Sequence, residues 1–153
     1  MDTESLHFKI GLINTSTKKQ SQIKIGIDGK IYFEGYIDPS KDVYYVEFDT
    51  DLEEGDHNLE ISLLNKLSQD TIVSDNVIVE DMLLEIDSIE IDNIDIGNLK
   101  FTLSKYYPEY PKEYQDNEQK KISEVRNCVT LGWNGTWQLP FSSPFYIWLL
   151  EMI

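Results

Sequence analysis

Cysteine is almost absent. Cys128 is the single one in 153 residues, so no internal disulfide can form. Histidine is nearly as scarce: His7 and His57 are the only two, and with one thiol they cannot supply a zinc site at any usual spacing. Long apolar runs are missing as well. The longest, "FYIWLL" at Phe145–Leu150, is far too short to span a bilayer. The opening "MDTESLHFKI" has no basic region and no apolar stretch, so the expectation is a soluble protein made in the cytosol without a secretory signal. Asn14-Thr15-Ser16 and Asn134-Gly135-Thr136 then read as turns rather than glycosylation sites.

Positive charge is the other shortage. Lys and Arg total 13 against 28 Asp and Glu, for a net charge of −15. Phosphate backbones and anionic lipid surfaces both repel such a chain, which excludes nucleic acid and membrane as partners. Divalent cations and neutral sugars remain. Between Asp49 and Asp95 lie 15 of the acidic residues, and Lys66 is the only lysine or arginine among them. A run of this kind is either a solvated face or a cation site.

What is present is strand periodicity. "LHFKIGLI" (6–13) sets Leu6, Phe8 and Ile10 against His7 and Lys9, and "SQIKIGI" (21–27) alternates Ile23, Ile25 and Ile27. Asp28-Gly29 signals a tight hairpin into "IYFEGYI" (31–37), because glycine accepts positive φ. "VYYVEFDT" (43–50) and "NLEISLL" (58–64) follow after further turns. Regularly spaced short strands read as a sandwich or barrel. "TIVSDNVIV" is a weak ribbon. "MLLEIDSIEI" (82–91) slips phase, with Leu84 and Ile86 on one parity and Ile89 and Ile91 on the other, which predicts a bulge at Asp87–Ser88. The fold expected is all-β: one jelly-roll-like β-sandwich domain over residues 1–153, without a helix, and with a long polar loop near 104–127.

The chain then ends in two strands, "VTLGWNGTWQLPF", in which "WNGTW" reads as a hairpin turn with Asn134-Gly135 at its tip, and "FYIWLLEMI". The last is apolar at nearly every position, so both faces need cover, and Trp148 and Leu150 mark a contact surface for another chain or a second copy. The other bulky aromatics of this region, Trp133, Trp137, Phe141, Phe145 and Tyr146, read as core or interface.

Two groups of side chains suggest binding. Calcium takes six to eight oxygen ligands. Asn65 closes one apolar run and Asp81 opens the next, with Asp70 and Asp75 in the connection; were the two strands neighbours, all four would ring one loop. An EF-hand does not fit Asp92, Asp95 and Gly97. In the long loop Tyr106, Tyr107, Tyr110 and Tyr114 offer rigid faces with hydroxyl edges, suited either to a sugar or to packing on the sandwich. Catalysis has no positive support: His57 and Cys128 lack an identifiable third group.

The stretch "EGDHNLEISLLN", then "D", then "DMLLEIDSIEID" resembles calcium-dependent xylan-binding modules over residues 53–92, with Gly55, His57, Asn65, Asp81, Leu83, Ser88 and Ile89 on the pattern. That resemblance implies a jelly-roll β-sandwich, a non-catalytic carbohydrate-binding role and a calcium ion that touches sugar hydroxyls. Lys66 stands where that pattern has Asp, and Met82 where it has Arg; a lysine there repels calcium. "NCVTLGWNGTWQLPFSSPFYIWLLE" resembles the ending of small uncharacterised proteins of tailed phages of marine cyanobacteria. The expected partners are accordingly a polysaccharide or host surface glycan, or other virion proteins in a structural or accessory role.

Overall fold

Alternating apolar residues can bury one face of a strand only if a second layer covers it. The computed structural model, which describes residues 2–40, 42–109 and 123–153, builds that second layer from the same chain. Five strands open the fold: β1 (Thr3–Asn14), β2 (Ser21–Ile27), β3 (Lys30–Ile37), β4 (Tyr44–Glu53) and β5 (Gly55–Leu63). A 3-10 turn at Ser68–Asp70 leads to a hairpin of β6 (Ile72–Ser74) and β7 (Val77–Glu80). Then come β8 (Leu84–Ile91), β9 (Ile94–Asp95), the one-turn helix α1 (Leu99–Thr102), β10 (Lys105–Pro108) and β11 (Val125–Arg126). β12 (Thr130–Leu131), β13 (Gly135–Ser143) and helix α2 (Phe145–Met152) complete it.

The strands form a β-sandwich. One sheet runs β12-β8-β1-β4, with β9 on β8; the other runs β11-β10-β13-β5-β2-β3; β6 and β7 pair only with each other. The chain repeatedly changes sheet, from β1 to β2, from β3 to β4 and from β4 to β5, so the core is assembled from residues far apart in sequence. Leu6, Phe8, Ile10 and Leu12 of β1 face Ile23, Ile25, Leu59, Ile61, Trp137 and Leu139 of the second sheet, all essentially buried. Phe8 stacks on Phe48 at 5.2 Å within its own sheet and meets the ring of Phe141 edge-on at 5.7 Å across the sandwich. Each such fully buried side chain contributes about 1.5–3 kcal/mol. Among the described residues no helix is long and apolar enough to cross a membrane.

The bulge falls where the phase slip places it. Gly11 pairs with Ser88 and Leu12 with Ile86, so Asp87 is the extra residue, exposed, while Leu84, Ile86, Ile89 and Ile91 are all buried.

Two expectations need correction. "FYIWLLEMI" is not a strand but helix α2, since a run apolar at every position has no period to distinguish the two. The helix is selected by its surroundings. Glu4 accepts hydrogen bonds from Ser143 Oγ at 2.7 Å and from the Phe145 backbone N–H at 2.9 Å, so a distant carboxylate satisfies an open helix donor. Phe145 and Trp148, one turn apart, are buried near Phe141, and Leu150 points to solvent. Trp148 and Leu150 therefore do not share an exposed surface. The loop near 104–127 is also shorter than expected at both ends. Lys105–Pro108 pairs with β13 and Val125–Arg126 with β10, while residues 110–122, including Tyr110 and Tyr114, lie outside the described residues.

Candidate functional site

Two polar regions stand out, one at an end of the sandwich and one on its outer face. The end region contains the four oxygen-bearing residues expected to ring a loop. β5 and β8 are not neighbours, because they belong to different sheets. Each of the four side chains instead has its own surroundings. Asn65 Oδ1 accepts from the Gln22 backbone N–H at 2.8 Å and its Nδ2 donates to the Gln20 carbonyl at 2.9 Å, so it splices β5 to β2. Asp70 pairs with the Lys19 ammonium at 2.8 Å and accepts from the Leu67 N–H at 2.7 Å. Asp75 sits at the tip of the β6–β7 hairpin with φ 52°, exposed. Asp81 Oδ1 receives the Lys66 ammonium at 2.6 Å and the Thr71 hydroxyl at 2.7 Å.

A calcium shell needs several free oxygens converging on one point. These residues do not fit one as placed: two carboxylates are each neutralised by a lysine, and the amide is consumed by backbone. Among the described residues no three His, Cys, Asp or Glu side chains group so as to hold a metal ion.

The second region is the outer face of the six-stranded sheet. Alternation turns Leu59, Ile61 and Leu63 of β5 inward and leaves Asn58, Glu60 and Ser62 outward. On β13 it does the same with Trp137, Leu139 and Phe141 against Thr136, Gln138 and Pro140. Register then aligns the outward residues across strands. Ser62 and Tyr107 flank Thr136, while Glu60 and Lys105 flank Gln138. Gly135 allows β10 to approach this closely: a Cβ there would lie 2.3 Å from the Tyr107 carbonyl oxygen.

A cleft of about 340 Å³ opens on this face, lined by His57, Asn58, Lys105, Tyr107, Gln138 and Pro140 among others. A smaller hollow of about 140 Å³ lies on the same face, between Lys24, Gly26, Glu60 and Thr136. The Gln138 amide and the Lys24 ammonium make no side-chain hydrogen bond or ion pair among the described residues, and both are half-buried. Lys105 has only a loose contact, 3.6 Å to Glu124. The cleft's carboxylates are engaged: Asp28 accepts from His57 Nδ1 at 2.6 Å and the Asn58 N–H at 2.8 Å, and Asp56 from the Ser142 hydroxyl at 2.8 Å. Burial works to lower the His57 pKa, but the bonds to Asp28 and to the Glu53 carbonyl outweigh it and raise it above 6.5. Another cleft, of about 490 Å³ beside Asn14–Thr17, offers less, since Asn14, Thr15 and Ser16 already bond neighbouring backbone.

Of the expected sugar-contacting tyrosines, Tyr107 lines the cleft. Tyr106 is a correction: it is 4% exposed, with its hydroxyl accepting from the Trp133 N–H at 3.0 Å, so its ring belongs to the core. His57 and Cys128 each have separate partners, Asp28 and the Thr130 carbonyl. Gln138, Lys105, Asn58 and Pro140 were not singled out from the sequence. Their only signal was an outward position on a strand, which surface residues share.

No protein-family model matches this chain, nor does any curated protein. Among solved structures the chain is similar to vCBM60 in its selenomethionine form, with a TM-score of 0.57 and 10% identity over 88% of this chain and 89% of that one. That structure accompanies a circular permutation linking two families of calcium-dependent carbohydrate binding modules. It is similar also to vCBM60 in complex with galactobiose, with a TM-score of 0.53 and 10% identity over 87% and 96%. At this identity the likeness establishes a shared fold and nothing finer.

Proposed function

We propose that this protein is a non-catalytic carbohydrate-binding module that holds a neutral polysaccharide against the outer face of its six-stranded sheet. The observation that carries this reading is the cleft with the half-buried, unengaged Gln138 amide beside the Tyr107 ring and Pro140. A sugar presents vicinal hydroxyls, each donor and acceptor, on a ring with an apolar C–H face. A primary amide meets both roles at once, and a tyrosine or proline ring covers the C–H face. Ligand sites are typically concave, with a few polar groups fixing orientation, and this cleft has that make-up. The fold shared with a galactobiose-binding module supports the same reading. The reading as a binding rather than a reacting protein is supported by the fold shared with carbohydrate binding modules.

Retention on a panel of immobilised neutral polysaccharides, xylan- and galactan-type included, tests this. Wild type should be retarded, and Gln138→Ala and Tyr107→Ala should lose the retardation while keeping the β-sheet circular dichroism. A chain that passes unretarded over every neutral polysaccharide sinks the reading.

A second reading is a structural or accessory role in a phage particle. Two exposed apolar surfaces support it: Ile147 and Leu150 of α2 and Ile153 just after it are 57%, 72% and 79% exposed, and Val73, Val77, Ile78 and Val79 of the β6–β7 hairpin are similarly open. Leu150→Glu tests it by light scattering. A monomer for both wild type and variant at high concentration removes self-assembly, and failure to enter particles removes the rest.

A further inference from the structure

Lysine seldom buries its ammonium; the stem packs and the charge reaches water. Lys66 is an exception, its side chain 1% exposed. Taking such a charge out of water costs several kcal/mol unless protein groups replace the lost hydration. They do so here. Nζ donates to Asp81 Oδ1 at 2.6 Å and to the Gly132 carbonyl, and lies 4.5 Å from the centre of the Trp133 ring. A carboxylate, a carbonyl and an aromatic face are what a cation selects.

The stem is held as firmly as the charge. The Lys66 N–H donates to Asn134 Oδ1 at 2.7 Å, and Asn134 Nδ2 donates back to the Lys66 carbonyl at 2.9 Å. Asp81 is itself oriented by the Thr71 hydroxyl. One side chain thereby ties three segments together: the end of β5, the residue that follows β7, and the turn before β13. β5 and β13 are paired neighbours, with Gly135 opposite Leu63, whereas β7 pairs only with β6, so the contact to Asp81 ties that separate hairpin to the six-stranded sheet.

We propose that the Lys66 ammonium is the resident cation of this corner, doing by covalent attachment what a bound cation would otherwise have to do for the Asp81 carboxylate and the Gly132 carbonyl. Consequently this chain folds, and presents its cleft, without calcium. The nearby Asp70 carboxylate adds no vacancy, because Lys19 neutralises it at 2.8 Å. A divalent ion entering here meets a fixed positive charge and at most one carboxylate, already neutralised. This sets the chain apart from the calcium-dependent modules whose fold it shares, and it holds whether or not the cleft takes a glycan.

The test uses the full chain, dialysed against EDTA, with the thermal midpoint followed as calcium or magnesium is added to millimolar concentration. No calcium-specific rise is expected in wild type. Lys66→Met, which keeps the stem and removes the charge, should lower the midpoint by many degrees, and Lys66→Arg should recover part of the loss. A wild-type midpoint that climbs with calcium beyond the magnesium control overturns the proposal. So does a Lys66→Met protein that melts with wild type. If Lys66→Met does not fold, the wild-type titration and the Lys66→Arg midpoint still decide it. No glycan enters this experiment, so its failure and that of the carbohydrate reading are separate results.

Discussion

The sandwich end and the outer sheet face carry similar residue types, yet they are organised in opposite ways. At the end, Lys66 and Lys19 each meet a carboxylate, Asn65 and Asn134 close on backbone, and Thr71 completes Asp81. On the outer face the half-buried Lys24 and Gln138 have no such partners among the described residues. Paired groups that cross elements hold a fold together; unpaired groups sitting in a hollow are poised for something that arrives. The corner that the sequence offers as a binding site is closed by its own pairs, whereas the face without a motif is the one that keeps polar groups open.

The largest effect should come from breaking the corner. Asp81→Ala leaves the Lys66 charge buried and unpaired, and losing one partner of such a pair costs about 3–5 kcal/mol. Urea unfolding should show that loss equally in EDTA and in calcium. Lys24→Met on the outer face should stay within about 0.5 kcal/mol of wild type. Similar losses at both positions would erase the distinction.

Gly135→Ala comes next. At φ 145° a side chain is strained, and the new Cβ would meet the Tyr107 carbonyl oxygen at 2.3 Å. A cost of about 1–3 kcal/mol is expected from the backbone alone. Because β10 carries Lys105 and Tyr107, glycan retention should fall too. Unaltered retention would place the ligand away from β10.

Gln138→Ala sharpens the comparison from the other side. One lost hydrogen bond of about 1.4 kcal/mol corresponds to a tenfold weaker affinity. The unfolding midpoint should not move. A stability loss with unchanged affinity would make Gln138 a structural residue.

The smallest effect is in pH. His57 and His7 both titrate above 6.5, His7 through hydrogen bonds to Glu47 and Asp49. A raised folded pKa favours the protonated folded state. The stabilisation is therefore complete below pH 6.5 and is lost as pH rises through the folded values. The midpoint should decline modestly above neutrality, and less in His57→Gln. A midpoint that rises over that range contradicts the sign.

Most of the strand architecture was legible, because a strand with one buried face writes a period of two into its sequence. Ile23, Ile25 and Ile27 or Trp137, Leu139 and Phe141 declare their inner face without reference to any neighbour. Even the extra residue at Asp87 showed as a change of parity. The segment at Phe145–Met152 did not, since apolar side chains at every position suit either geometry until Glu4 supplies its carboxylate. β10 hid for a related reason: "KYYP" has no repeated alternation, and its pairing with β13 depends on Gly135.

The polar residues divide along the same line. That Lys66 interrupts an acidic stretch is plain from composition. That its ammonium is buried, and against which oxygens, depends on Asp81 and Gly132, which chain connectivity alone leaves far from it. Nor could spacing separate Tyr106 in the core from Tyr107 on the cleft wall, though they are consecutive. Periodicity is a local property, set by the geometry of one strand. Charge pairing and concavity are properties of surfaces that meet only when the two sheets close.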